Sequence, residues 1–184
     1  MKTKTIQITV IGAASLVLFA SITLAEQDKY TLTVPDGLSF AEIRGYETWQ
    51  NVAVSETKTQ VKAILGNQVT IDAYKQGIPG NGKPFPDGAK WVKIQWNKKT
   101  NTSSPYFVEV PDTLASIAFI VKDSKRFPKT HGYAFGQFNY DTASGTFGPG
   151  LLGSTPVTGT ECGYACHAAH VASTDYIFTA YPPR

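Results

Sequence analysis

Residues 158 to 170, TGTECGYACHAAH, hold both cysteines of the chain, Cys162 and Cys166, with His167 directly behind the second and His170 a turn further on. Thiols and imidazoles this close together allow three chemistries. Covalent attachment of haem needs two thiols about one helical turn apart to meet two vinyl groups, and a histidine close behind to reach the iron; the usual signal is C-x-x-C-H. Here three residues separate the thiols, so the extra one has to be absorbed by a wider turn. Zinc is the second reading, because Cys162, Cys166, His167 and His170 supply four suitable donors, but four ligands within so short a segment struggle to surround one ion. The third is a disulfide between Cys162 and Cys166, which would close a very small loop and constrain little of the unfolded chain. Spacing alone leaves all three open.

If haem is bound, the rest of the sequence limits its coordination. The only methionine is Met1, so the His/Met axial pair of many electron-transfer cytochromes is excluded. His170 lies on the same side of the ring as His167. His131, in PKTHGYAF, is the remaining histidine and stands beside a turn, where an exposed loop residue is expected. The expected iron is therefore five-coordinate, with one position open to a small molecule.

The compartment follows from the N-terminus. MKTKT carries two lysines, ITVIGAASLVLFASITL is apolar and uncharged, and Ala25 ends the run with a small residue. This predicts a secretory signal peptide over residues 1–25 and a mature domain over 26–184; a retained membrane anchor is the rival reading. Of the 17 Lys and Arg, Lys2 and Lys4 leave with the leader, so 15 basic residues face 14 acidic ones. A nearly neutral mature chain carries no nucleic-acid footprint. Its length suits one domain with one core.

The elements that must position the cysteine segment can be read from periodicity. DGLSFAEIRGYETWQ, residues 36 to 50, spaces Phe40, Ile43, Tyr46 and Trp49 as an amphipathic helix would. Asn67 is placed to cap a helix running to Tyr74, with Gly77 as its left-handed stop. GIPGNGKPFPDG is a loop that closes on a turn at Phe85-Pro86-Asp87-Gly88. AKWVKIQW, residues 89 to 96, alternates as a strand, with Val92, Ile94 and Trp96 on one face and Trp91, Lys93 and Gln95 on the other. SIAFIVK (116–122) and YAFGQFNYD (133–141) are further strands, and YIFTAY (176–181) is a strand or a buried extended tail. Helices followed by antiparallel strands predict an α+β fold, a mainly antiparallel β-sheet with flanking helices in a single domain.

FPDGAKWVKIQW, VKDSKRF at 121–127, and ECGYACH followed by DYIFTAY, in this order, resemble the cytochrome P-460 family, which includes the β-sheet cytochromes c-prime. The resemblance covers roughly Val34 to Arg184. It implies a periplasmic domain, often dimeric, carrying one covalently attached c-type haem with a histidine beneath the iron. Members with the full chemistry oxidise hydroxylamine and nitric oxide and have a lysine joined to the porphyrin edge. The c-prime relatives lack that link and bind nitric oxide or carbon monoxide.

Carried onto this chain, the resemblance makes Cys162 and Cys166 the attachment residues, His167 the iron ligand and Lys93 the cross-linking, catalytic lysine. A strand lysine facing away from Val92 and Ile94 is ordinarily solvent-exposed, and an amine that attacks a porphyrin carbon must be neutral, a state that burial near Trp91 would favour. Two departures stand out. The hydroxylamine oxidisers carry C-x-x-C-H rather than C-G-Y-A-C-H, and no acidic residue matches their distal proton acceptor; Glu109, Asp123 and Asp141 are candidates only through lying near strands. The expectation is a periplasmic haem c protein acting on small nitrogen species, passing electrons to a soluble acceptor, with a homodimer expected from the family. A non-enzymatic gas binder and a haem-free domain closed by a small disulfide are the alternatives.

Overall fold

The computed structural model describes residues 27–35, 38–152, 155–156 and 159–183. The expected signal peptide, 1–25, lies outside them. The architecture is a six-stranded antiparallel meander: β1 (Gln50–Glu56), β2 (Gln60–Gly66), β3 (Lys90–Thr100), β4 (Glu109–Lys122), β5 (Tyr133–Asp141) and β6 (Thr146–Pro149), hydrogen-bonded in chain order. Helix α1 (Gln68–Lys75) interrupts the meander after β2. After β6 come a two-stranded ribbon, β7 (Leu151–Leu152) with β8 (Thr155–Pro156), a π-helical turn over Gly159–Tyr164, and α2 (Ala165–Val171). The α+β, single-domain reading of the sequence holds.

Local chemistry explains the first helix. The side chain of Asn67 accepts from the Thr70 amide at 3.1 Å and so caps α1, and Gly77, at φ +83°, ends it in the left-handed region that glycine enters without penalty. Two expectations shift. The hydrogen-bonded turn before β3 is Pro86 to Ala89 (3.2 Å), one residue later than Phe85 to Gly88, with Gly88 at φ +88°. Asp36 and Gly37 lie outside the described residues, and residues 38–50 do not form an amphipathic α-helix. Phe40–Ile43 and Tyr46–Thr48 are two short 3-10 turns broken by Gly45 at φ +80°, and Gln50 already belongs to β1. The apolar spacing of about three residues is the period of 3-10 turns rather than the 3.6 of an α-helix. Phe40, Ile43 and Tyr46 are nonetheless buried as expected.

The sheet separates two cores. On one face Val92, Ile117, Phe119, Val121 and Phe138 meet Val34, Leu38, Phe40, Ile43 and Tyr46. On the other, Trp91, Ile64, Tyr133 and Phe135 pack with α1 residues Ile71 and Tyr74, with Phe85, and with Ile177 of the C-terminal tail. In that tail, residues 176–181, Tyr176 is a turn residue and 177–181 form no strand; Ile177 is buried, whereas Phe178 and Ala180 are exposed. The tail is docked by Tyr74, whose hydroxyl donates to the Thr179 carbonyl at 2.7 Å and whose ring stacks on Tyr181. Burial raises the Tyr74 pKa to about 12, so the phenol keeps its proton for that bond.

Candidate functional site

Strand register builds the floor of a cavity on the second face. Trp91, Ile120 and Phe135 are directly paired neighbours across β3, β4 and β5. The next row with the same outlook is Ile64, Lys93, Ala118 and Gln137 across β2 to β5. Neighbours in such a row stand roughly 4.5–5.5 Å apart at Cβ, so the methyl of Ala118 leaves a depression between Lys93 and Gln137. The cavity holds about 430 Å³ and is bounded by these side chains, by Ser55 and Lys62 at one end, and by Cys162, Gly163, Cys166, His167, Ile177 and Phe178.

The cysteine segment roofs this cavity through the wide turn that the extra residue required. Gly159–Tyr164 is π-helical and runs directly into α2, so Cys162 lies in the widened turn and Cys166 in the first turn of the α-helix. A π-helical turn takes more residues than an α-turn, and residues four apart share one side of the chain in either. Both thiols are free, and both line the cavity. Gly163 between them is required by contact: a Cβ there would collide with Cβ and Cγ of Phe135.

His167 completes the roof. Its ring packs against Phe135 at 4.5 Å and Phe178 at 4.8 Å between centroids, and Nδ1 lies 2.6 Å from the carbonyl oxygen of Tyr176. A carbonyl only accepts, so Nδ1 donates, and Nε2 is left as the nitrogen with a lone pair. Burial lowers the His167 pKa, with the bond to Tyr176 opposing and the charge of Lys93 adding to the fall; the imidazole is therefore held in its neutral, ligating form.

Lys93 is half-buried in the floor rather than solvated. Its pKa is lowered, chiefly by burial and then by the like charge of Lys62, while Cys166 opposes. No carboxylate contributes, so the amine is biased toward its neutral, nucleophilic state. Among the described residues no carboxylate lines the cavity. The three suggested proton acceptors are engaged elsewhere: Glu109 with Lys98 at 2.5 Å, Asp123 with the amides of Lys125 and Arg126, and Asp141 with Ala143 and Ser144. His131 is exposed, and its Nδ1 lies 2.6 Å from the Tyr164 hydroxyl, away from the cavity lining. His170 also lies outside the lining. Among the described residues no group of three or more His, Cys, Asp or Glu is arranged to hold a metal ion, so the four-ligand zinc arrangement is not formed.

The donor set fits haem. Two unpaired thiols one wide turn apart, a neutral imidazole with its second nitrogen free, and walls of Trp91, Ile120, Phe135 and Phe178 meet at one cavity. Residues that the sequence reading missed support that set. Asp175 and Tyr176 cross from α2 to the tail at φ +50° and +63°, left-handed values that cost on the order of 1–3 kcal/mol each. Gly163 and Gln137 were equally silent. A glycine inside C-G-Y-A-C reads as permissive until Phe135 is seen beneath it.

Comparison with known proteins gives one family match: the model for cytochrome P-460 aligns with residues 43–179, most of the chain. No curated protein matches.

Proposed function

The chain belongs to the cytochrome P-460 family and is a haem protein, and from that premise we propose that it is a periplasmic c-type cytochrome holding one haem and acting on small nitrogen species. The observation that carries this reading is the convergence of Cys162, Cys166 and His167 on the lining of one cavity, with Nδ1 of His167 engaged by the Tyr176 carbonyl. The two thiols would add across the vinyl groups as thioethers, and His167 would ligate the iron. Bound there, haem would supply an iron to bind hydroxylamine or nitric oxide and a macrocycle to take up electrons. The protein's own part is separate. Tyr176 orients the imidazole, the aromatic walls limit water, and Lys93 holds in the cavity floor an amine whose pKa burial lowers toward the neutral form. In the enzymatic version a soluble one-electron carrier takes the electrons. With no carboxylate facing the cavity among the described residues, the reading assigns the proton-accepting role to Lys93, whose pKa burial lowers.

That lack of a carboxylate favours a second reading on the same scaffold, a gas binder that captures nitric oxide without turning it over. Expression with a cytochrome c maturation system tests both. Haem that stays with the denatured chain and gives a haemochrome spectrum supports attachment, whereas a colourless product whose Cys162 and Cys166 are joined in a disulfide overturns both readings. Oxidation of hydroxylamine with an artificial acceptor then separates enzyme from binder. Intact mass of wild type against Lys93→Ala, with loss of the red-shifted ferrous band, reports the edge link.

A further inference from the structure

The crossing from α2 to the tail takes Asp175 and Tyr176 through two consecutive left-handed residues, neither of them glycine. Such a backbone persists only where its surroundings hold it. Asp175 is the tie: its Oδ2 accepts from the Phe85 amide and from the Tyr133 hydroxyl, each at 2.6 Å. Phe85 precedes the turn into β3, and Tyr133 begins β5, so one carboxylate oxygen fastens the crossing to the segment leading into β3 and to the start of β5, two of the four strands that form the cavity floor. Tyr176 is held from its other side as well. Its amide donates to the Val171 carbonyl at 2.9 Å, and its ring packs against His131 at 5.0 Å and Tyr133 at 5.6 Å. What this fixes is one carbonyl, the Tyr176 oxygen that receives Nδ1 of His167 at 2.6 Å.

We propose that Asp175 is a positioning residue for His167: by clamping the left-handed crossing it sets the Tyr176 carbonyl against Nδ1 and selects the tautomer whose Nε2 lone pair is free. A bond of this kind fixes ring orientation and makes a ligating imidazole more electron-rich. The consequence for iron rests on the haem reading; the tautomer does not. When the clamp is removed, the carbonyl moves off Nδ1, and His167 divides between its two tautomers. In the haem-loaded protein the weaker donor favours the reduced metal, and the reduction potential rises.

The test uses the full mature chain in two forms. In the metal-free protein, nitrogen-15 shifts of the His167 ring report the tautomer: wild type is expected with the proton on Nδ1, Asp175→Ala as a mixture, and Asp175→Asn, which keeps an acceptor oxygen, in between. In the haem-loaded protein Asp175→Ala is expected to have the higher potential and Asp175→Asn to recover part of the difference. A folded Asp175→Ala with the wild-type tautomer and potential overturns the proposal. Should that variant not fold, Tyr133→Phe removes one of the two donors and leaves the carboxylate in place. A smaller shift in the same direction then supports the proposal, and unchanged shifts and potential overturn it. If no haem loads, the tautomer measurement still decides the role of Asp175 while the haem reading fails by its own experiment.

Discussion

The same strands present two faces that have been used in opposite ways. Val92, Ile117, Phe119, Val121 and Phe138 face a layer of 3-10 turns and are sealed, with Phe138 fully buried between Phe40 and Phe119 at centroid distances of 5.0 and 6.0 Å. One residue along in each strand, Trp91, Lys93, Ala118, Ile120, Phe135 and Gln137 look the other way and are only roofed, leaving a cavity of about 430 Å³. The sealed face is filled with large apolar side chains. The roofed face has an alanine at its centre and a lysine beside it. Close packing confers stability, while a hollow that must accept a planar group forgoes part of it.

Substitutions should separate the faces. The largest effect on stability is expected for Phe138→Ala, which removes a fully buried ring from the sealed side and should cost about 3–5 kcal/mol in denaturant unfolding. Gly163→Ala comes next. The added methyl meets Phe135, and displacing the wide turn should cost about 1–3 kcal/mol while also lowering the yield of covalently attached haem, measured by haem stain against total protein. Ala118→Leu should behave in the reverse sense to Phe138→Ala. Filling the hollow leaves the metal-free chain within about 1 kcal/mol of wild type, yet haem no longer loads. Equal destabilisation by Phe138→Ala and Ala118→Leu would mean that the two faces do not differ as described.

Much of this contrast was legible in the alternation of AKWVKIQW, because a period of two assigns Lys93 and Val92 to opposite faces whatever the partners are. The need for a wide turn was also legible, from one residue too many between the thiols, and it appears as the π-helical turn at Gly159–Tyr164. What could not be read were properties of contact. Lys90 and Lys93 look alike in sequence, but Lys90 reaches the Glu42 carbonyl at 2.6 Å and its carboxylate at 3.3 Å on the sealed side, while no carboxylate influences Lys93. Residues 36–50 were misread because spacing near three fits both helix types, and Gly45 decides between them. Asp175 and Tyr176 gave no signal, since left-handed backbone at non-glycine residues is imposed by tertiary partners, here Phe85 and Tyr133.

The smallest expected effect concerns pH and tests whether the roofed face is as dry as its lysine implies. Burial, then Lys62, depress the Lys93 pKa below its ordinary 10.5 in the metal-free folded chain. In the unfolded chain Lys93 binds its proton more tightly, so over the interval between the folded pKa and 10.5 the unfolded state holds more protons. Stability from this group therefore rises with pH across that interval. Below it both states are protonated, and the full penalty of burying the charge applies. Lys93→Met removes the penalty and its pH dependence together. In the metal-free protein the variant should exceed wild type in melting temperature at neutral pH, and the difference should shrink as the pH approaches 10.5. A gap that stays constant with pH would show that the Lys93 ammonium is solvated in the folded state and that the cavity floor is wet.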